Sequence, residues 1–394
     1  MSAPIDWSGL QTHWRRRACR LAGAAPALDP ASAYALVRRA AEPFRAGTRF
    51  LALPDVRFYV DGGWMRAPGD LLPGADDADA AGYVARVRAR LDGRGFQLRV
   101  TQPLFLDYAL WAQAREALAG LFERFGQPSL ALTAELWLGE ADAGTLGPRF
   151  EPAAASLRLP LLGGSEVRCW RARPRAGGAP ARVLRAVAGE ALYWPEAGWV
   201  EEADLGPTLG LAVSVPVGGE AAAVAVKDVL AELVDAELGE QAQVAMLDFP
   251  PRGRAAIAPL QQVAAQMRAA VAGGDLQRAL RASWAARASA AGLEPVPAPR
   301  EEPLAPADRV GLDRRSPLLR LADGEREWWA VNGHAFSMPV HPRVDALLQA
   351  LQGGAPATVA QLCAGPRRRV DPGLLALLQR LHDLRAIQRE RVPA

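Results

Sequence analysis

The chain has 394 residues, of which 50% are hydrophobic and 23% charged, with a formal net charge of +3. That is long enough to bury two or three cores, and no run reaches the roughly 18 uninterrupted apolar residues of a membrane span. The N-terminus lacks the apolar core of a signal peptide, so the cytoplasm is the default expectation. Cys19, Cys169 and Cys363 are widely separated, which indicates neither a disulfide framework nor a zinc site.

Along the chain, Asp29-Pro30 forms a helix-starting pair ahead of Tyr34, Leu36 and Val37. A second amphipathic stretch places Tyr83, Val84, Val87 and Leu91 on one face before Asp92-Gly93, and a third runs from Leu110 to Phe122. Between them, Phe96 to Val100 reads as a strand, and so does Leu130 to Leu138, where apolar residues alternate in a period of two. From there to about residue 217 the pattern is short strands separated by Gly and Pro turns.

After Gly218-Gly219 the texture becomes Ala-rich helix. Narrow apolar stripes are formed by Val226, Leu230 and Leu233, by Leu260, Val263, Met267 and Val271, and by Leu276, Leu280 and Trp284. Such stripes need a covering surface, either one another or a second chain. Residues 293–307 are Pro-rich and predict an extended linker. Asp323-Gly324 and Asn332-Gly333 then mark two hairpins, followed by helices near 341–351, 358–364 and 371–385. Trp328 and Trp329, adjacent on a strand, must point to opposite faces.

One corner carries the chemistry: Gly147-Pro148-Arg149-Phe150-Glu151-Pro152 reads like a metal-binding G-P-H-F-D-P turn with His replaced by Arg and Asp by Glu. The four histidines are His13, His334, His341 and His382, so residues 14–333 contain no imidazole. Further segments share an order with this corner: Asp6-Trp7 through Arg17, then Leu157 to Leu161, and Val167-Arg168-Cys169-Trp170. Gly189-Glu190-Ala191-Leu192-Tyr193-Trp194-Pro195 leading to Glu201 follows, and then Thr208-Leu209-Gly210-Leu211-Ala212-Val213-Ser214.

Together these segments resemble the JmjC-type 2-oxoglutarate-dependent oxygenases, most closely the bacterial ribosomal-protein hydroxylases. The resemblance implies an α+β chain with a double-stranded β-helix (cupin/JmjC-like) barrel and flanking helices over 1–218. It further implies a helical dimerisation region at 219–292, a linker at 293–307 and a winged-helix-like domain at 308–394. The family uses Fe(II) and 2-oxoglutarate. Here the three metal-ligand positions fall on Arg149, Glu151 and Glu201, and Arg168 falls where the family grips the distal carboxylate of 2-oxoglutarate.

An arginine offers no lone pair to a metal, because the guanidinium stays protonated. Arg149 is therefore expected to replace the cation, with its fork on Glu151, Glu201 or both, and no cofactor is expected. A carboxylate-only site for magnesium or manganese is the metal-dependent alternative. Glu202 and Asp204 stand nearby as further oxygen donors, but Glu201 and Glu202 cannot both face inward without a bulge. Tyr193, Trp194 and Trp199 are expected to line a substrate groove.

No Walker A, GxSxG, HExxH or strand-placed GxGxxG sequence competes with this reading. The leading expectation is a non-catalytic peptide- or protein-binding pseudoenzyme, acting as a homodimer or with an active enzyme. An oxygenase with an atypical metal site is the first alternative. The second is a nucleic-acid-binding regulator, suggested by Arg367-Arg368-Arg369, Arg380, Arg385, Arg389 and Arg391.

Overall fold

The computed structural model describes residues 5, 7–23, 28–48, 53–175, 178–238, 258–353, 357–365 and 370–389. Asp6, Arg367 to Arg369 and Arg391, all used in the sequence reading, lie outside the described residues. The chain forms two units, the first made of 1–219 with 290–298 and the second of 220–289 with 299–394.

In the first unit the elements are β1 (Cys19–Leu21), α1 (Pro30–Arg45), β2 (Asp55–Val60), β3 (Gly63–Met65), α2 (Ala80–Arg90), β4 (Phe96–Thr101), α3 (Tyr108–Phe125) and β5 (Thr133–Glu140). They continue with β6 (Arg149–Glu151), β7 (Ala154–Leu162), β8 (Gly164–Trp170), β9 (Arg182–Val187), β10 (Ala191–Trp194), β11 (Gly198–Asp204) and β12 (Thr208–Pro216). Asp29 caps α1 by accepting from the Ser32 amide at 2.8 Å, as its position before Pro30 predicts.

An eight-stranded antiparallel sheet has the order β1-β10-β7-β12-β5-β4-β2-β3, and a four-stranded one the order β6-β11-β8-β9. Strand alternation gives the larger sheet two different faces. On one face Leu98, Val100, Leu136, Leu138, Leu157, Leu159, Leu211 and Val213 join a core with Val37, Tyr83 and Trp111 from α1, α2 and α3. The intervening residues Arg99, Trp137, Arg158, Gly210 and Trp194 face the smaller sheet instead. There a separate apolar cluster unites Leu192 and Trp194 with Val167 and Val200.

Gly210 is required by this second face. A Cβ there would sit 2.1 Å from the Trp137 ring, which is fully buried. The bare backbone of β12 therefore admits the indole, at a point where the pairing of β12 with β7 also shifts register.

The segment expected as an extended linker, 293–307, begins at a residue held in the first core. Ala290, Ala291 and Leu293 are buried in the first core, and the Leu132 amide donates to the Gly292 carbonyl at 2.8 Å. Three apolar side chains ahead of the prolines therefore dock this end of the segment.

The second unit contains α4 (Ala221–Leu238), α5 (Ala258–Ala272), α6 (Asp275–Ser289), β13 (Arg309–Leu312), β14 (Leu318–Asp323), β15 (Arg326–Val331) and β16 (His334–Pro339). Its last elements are α7 (Val344–Gln352), β17 (Ala357–Thr358), α8 (Val359–Leu362), α9 (Pro372–Asp383) and β18 (Ile387–Arg389). The expected hairpins at 323–324 and 332–333 join β14 to β15 and β15 to β16. Trp329 is fully buried while Trp328, on the opposite face, donates to Asp323. The apolar stripes on the helices face partly outward: Leu260, Val271 and Trp284 are 53%, 56% and 51% exposed, while α6 buries Ala282 and Ala285. No helix among the described residues is long and apolar enough to cross a membrane.

Candidate functional site

The site is the polar space between the two sheets, and β11 supplies its centre. Because strand side chains alternate, Glu202 and Asp204 turn toward the larger sheet while Glu201 turns away. Glu202 receives three arginines. Arg149 Nη2 reaches its Oε1 at 2.6 Å, and Arg99 Nη2 and Arg158 Nη1 both reach its Oε2 at 2.5 Å. Arg149 also donates from Nε to Glu151 Oε1 at 2.7 Å.

The network continues inward. Arg158, 1% exposed, lies with its guanidinium 3.9 Å from the Trp137 ring centroid and donates to Asp204 at 2.9 Å. Asp204 also accepts from Trp137 Nε1, Gln97 Nε2 and the Ala141 amide, at 3.1, 3.1 and 3.0 Å. One strand of the smaller sheet is thus tied to β4, β5 and β7 of the larger.

Burial alone would raise the Glu202 carboxyl, but Arg149, Arg158 and Arg99 together hold it well below the usual carboxylate range. Burial opposes the charge of Arg149 in turn, and Glu202 and Glu151 overcome this and raise its pKa above the ordinary arginine value. At Asp204 burial wins, and the carboxyl is raised despite Arg158.

The structure brings Arg149 and Glu151 together as the sequence predicts, but places Glu201 elsewhere. Glu201 lies opposite Arg168 on β8, with Arg168 Nη1 at 3.5 Å from Oε2, on the outward face of the smaller sheet. Arg168 is bound there to Glu166 at 2.7 Å, so it does not point into the space between the sheets. Burial tends to raise the Glu166 carboxyl, yet hydrogen bonds from Arg185 and Arg168 bring it below its ordinary value.

The three aromatics divide in the same way. Tyr193 is fully buried on the helix-covered face, stacked on Trp14 at 5.5 Å, with its hydroxyl accepting from the Arg15 amide at 2.7 Å. It is a core residue and not a groove residue. Trp194 lines the inter-sheet space, whereas Trp199 packs on exposed Phe150 at 5.7 Å with Arg173 over its ring.

A pocket of about 140 Å³ remains beside the arginines, lined by Arg99, Glu135, Arg149, Ser156, Trp194 and Glu202 among others. Arg99, Arg158 and Ser156 were not singled out as site residues from the sequence. Their signal was a polar residue inside an apolar strand, as in Leu157-Arg158-Leu159 and Leu98-Arg99-Val100.

These residues do not fit the iron site of a facial-triad oxygenase, which needs two imidazoles and a carboxylate. Arg149 presents protons where lone pairs are required. His13, the one histidine of the first unit, instead accepts from Arg17 Nε at 3.0 Å. Among the described residues no three His, Cys, Asp or Glu side chains are grouped to hold a metal ion.

No protein-family profile matches the chain, and no curated protein matches it by sequence. Solved structures do match over the whole length. YcfD, a ribosomal oxygenase from Escherichia coli, superposes with a TM-score of 0.55 at 16% identity, covering 99% of this chain and 100% of that one. Its complex with cobalt and 2-oxoglutarate gives 0.52 at 17% identity, covering 98% and 99%. The fold is that of this JmjC-type oxygenase. The complex with cobalt and succinic acid matches similarly, with a TM-score of 0.52 at 16% identity and coverage of 98% and 99%.

Proposed function

We propose that this protein is a non-catalytic binding protein built on the JmjC-type barrel, in which Arg149 has taken over the electrostatic role of a metal. The observation that carries this reading is the guanidinium of Arg149 bridging Glu151 and Glu202. A fixed cation of the protein neutralises the inward carboxylates, so the barrel holds together without iron. Fe(II) and 2-oxoglutarate, the cofactors of the resembling family, have no role in this reading.

The partner in this reading is a peptide or protein segment, recognised in the cytoplasm. The exposed apolar stripes on α5 and α6 favour self-association of the second unit, since Leu260, Val271 and Trp284 together leave large side chains in water. The C-terminal strands and helices, 308–394, act in this reading as a winged-helix-like module. A nucleic-acid role is less favoured, because Arg320 and Arg389, among the arginines of this unit, are engaged by carboxylates.

The test is metal analysis after anaerobic reconstitution with Fe(II). The expected result is no stoichiometric iron and no consumption of 2-oxoglutarate. One tightly held iron per chain with turnover would establish an oxygenase with an unusual ligand set instead.

A further inference from the structure

We infer that the pocket beside Arg149 binds a carboxylate through Arg149 Nη1, Ser156 Oγ and Trp194 Nε1. This rests on the reading of the barrel as metal-free and names the ligand chemistry of the same space.

The hydrogen-bonding capacity of the pocket lining is unevenly used. The acids lining the pocket are already engaged within the protein. Glu202 uses both oxygens on three arginines, Glu151 accepts from Arg149, and Glu135 accepts from Thr101 Oγ1 at 3.2 Å and faces Arg99 at 3.4 Å. Three lining residues nevertheless keep a polar atom that is shielded from solvent and has no partner: Arg149 Nη1, Ser156 Oγ and Trp194 Nε1. Ser156 and Trp194 are 4% and 2% exposed.

All three can donate, and two of them can only donate. A buried donor without an acceptor is costly, so the complementary ligand presents acceptor oxygens. A carboxylate offers two such oxygens with several lone pairs and forms charge-assisted bonds with a guanidinium. The apolar wall of Ala212 and the Trp194 ring accommodates a short aliphatic stem. The pocket of about 140 Å³ restricts the ligand to a small acid or to the end of an acidic side chain. This place is distinct from Arg168, which faces the opposite side of the smaller sheet.

Calorimetry on the full chain decides the matter, with propionate and its neutral isostere propionamide as probes. Propionate should bind and propionamide should bind at least about tenfold more weakly, the discrimination of one charge-assisted hydrogen bond. Ser156→Ala and Trp194→Phe should each weaken propionate by roughly tenfold, because each removes one donor. Acetylated, amidated Gly-Asp-Gly and Gly-Asn-Gly peptides separate the two sources of the carboxylate. Tighter binding of the Asp peptide than of propionate assigns the pocket to a protein side chain, and the reverse order assigns it to a free acid. No propionate binding, equal binding of the amide, or unchanged affinity in both variants overturns the inference. Iron bound with turnover would overturn the metal-free reading on its own, so the two failures are separable.

Discussion

Arg158 Nη1 and Glu202 Oε2 lie 2.5 Å apart with side chains 1% and 3% exposed, at the point where the larger sheet meets the smaller. The pair is surrounded by further charge: Asp204 on the arginine, and Arg99 and Arg149 on the glutamate. Buried ions are tolerable only when each is paired and hydrogen-bonded. The set therefore acts as one unit, and removing one member strands the others.

Loss of Arg158 should be more damaging than loss of Arg149. Arg158→Ala leaves Glu202 and Asp204 short of a buried partner, at about 3–5 kcal/mol. Arg149 keeps 35% of its side chain in solvent, so Arg149→Ala should cost roughly 1–3 kcal/mol after screening. Urea unfolding of both variants measures the difference, and a larger loss for Arg149→Ala would refute the order.

Building a metal site into this space requires the inward position of β11. Arg149→His with Glu151→Asp and Glu202→His should give Zn(II) affinity measurable by calorimetry, since Arg158 and Arg99 retain Asp204 and Glu135 as partners. The same pair of changes combined with Glu201→His should bind no better than wild type, because Glu201 faces Arg168 on the other side of the sheet. Equal affinities in the two triple variants would contradict the observed register.

Acid sensitivity should trace to Glu202. Its carboxyl is held well below the usual range in the folded state, so its contribution is complete above the unfolded value of about pH 4.3 and is lost as the pH falls further. Asp204 has the opposite sign, because its raised carboxyl favours the folded state in acid and that advantage fades as the pH rises. Between pH 5 and pH 3, Glu202→Gln should therefore lose less stability than wild type. Denaturation midpoints at the two pH values test this, and equal losses would exclude Glu202 as the source.

Self-association should depend on Trp284, which is 51% exposed on α6. Light scattering should report about twice the chain mass of 42.0 kDa, and Trp284→Glu should restore the monomer mass, since an exposed side chain contributes little to folding. A monomeric wild type at high concentration would remove this part of the proposal.

Local patterns were enough to predict individual elements, and the order of the motif segments carried the resemblance to the oxygenase fold. The period of two in Leu130 to Leu138 predicted β5, the Asp29-Pro30 pair predicted α1, and the Gly-containing dipeptides predicted the hairpins of β14, β15 and β16. The absence of histidine from residues 14–333 was likewise visible without coordinates. What required tertiary structure was which of two adjacent glutamates faces inward. A shift of one residue along β11 exchanges the two faces of the strand, and local sequence places a carboxylate at both positions. The choice is made by distant partners: Asp204, two residues on, is held by Trp137, Gln97, the Ala141 amide and Arg158, which fixes Glu202 on the same side and turns Glu201 away. Those partners lie from 46 to 107 residues away in the chain, beyond the reach of any local pattern.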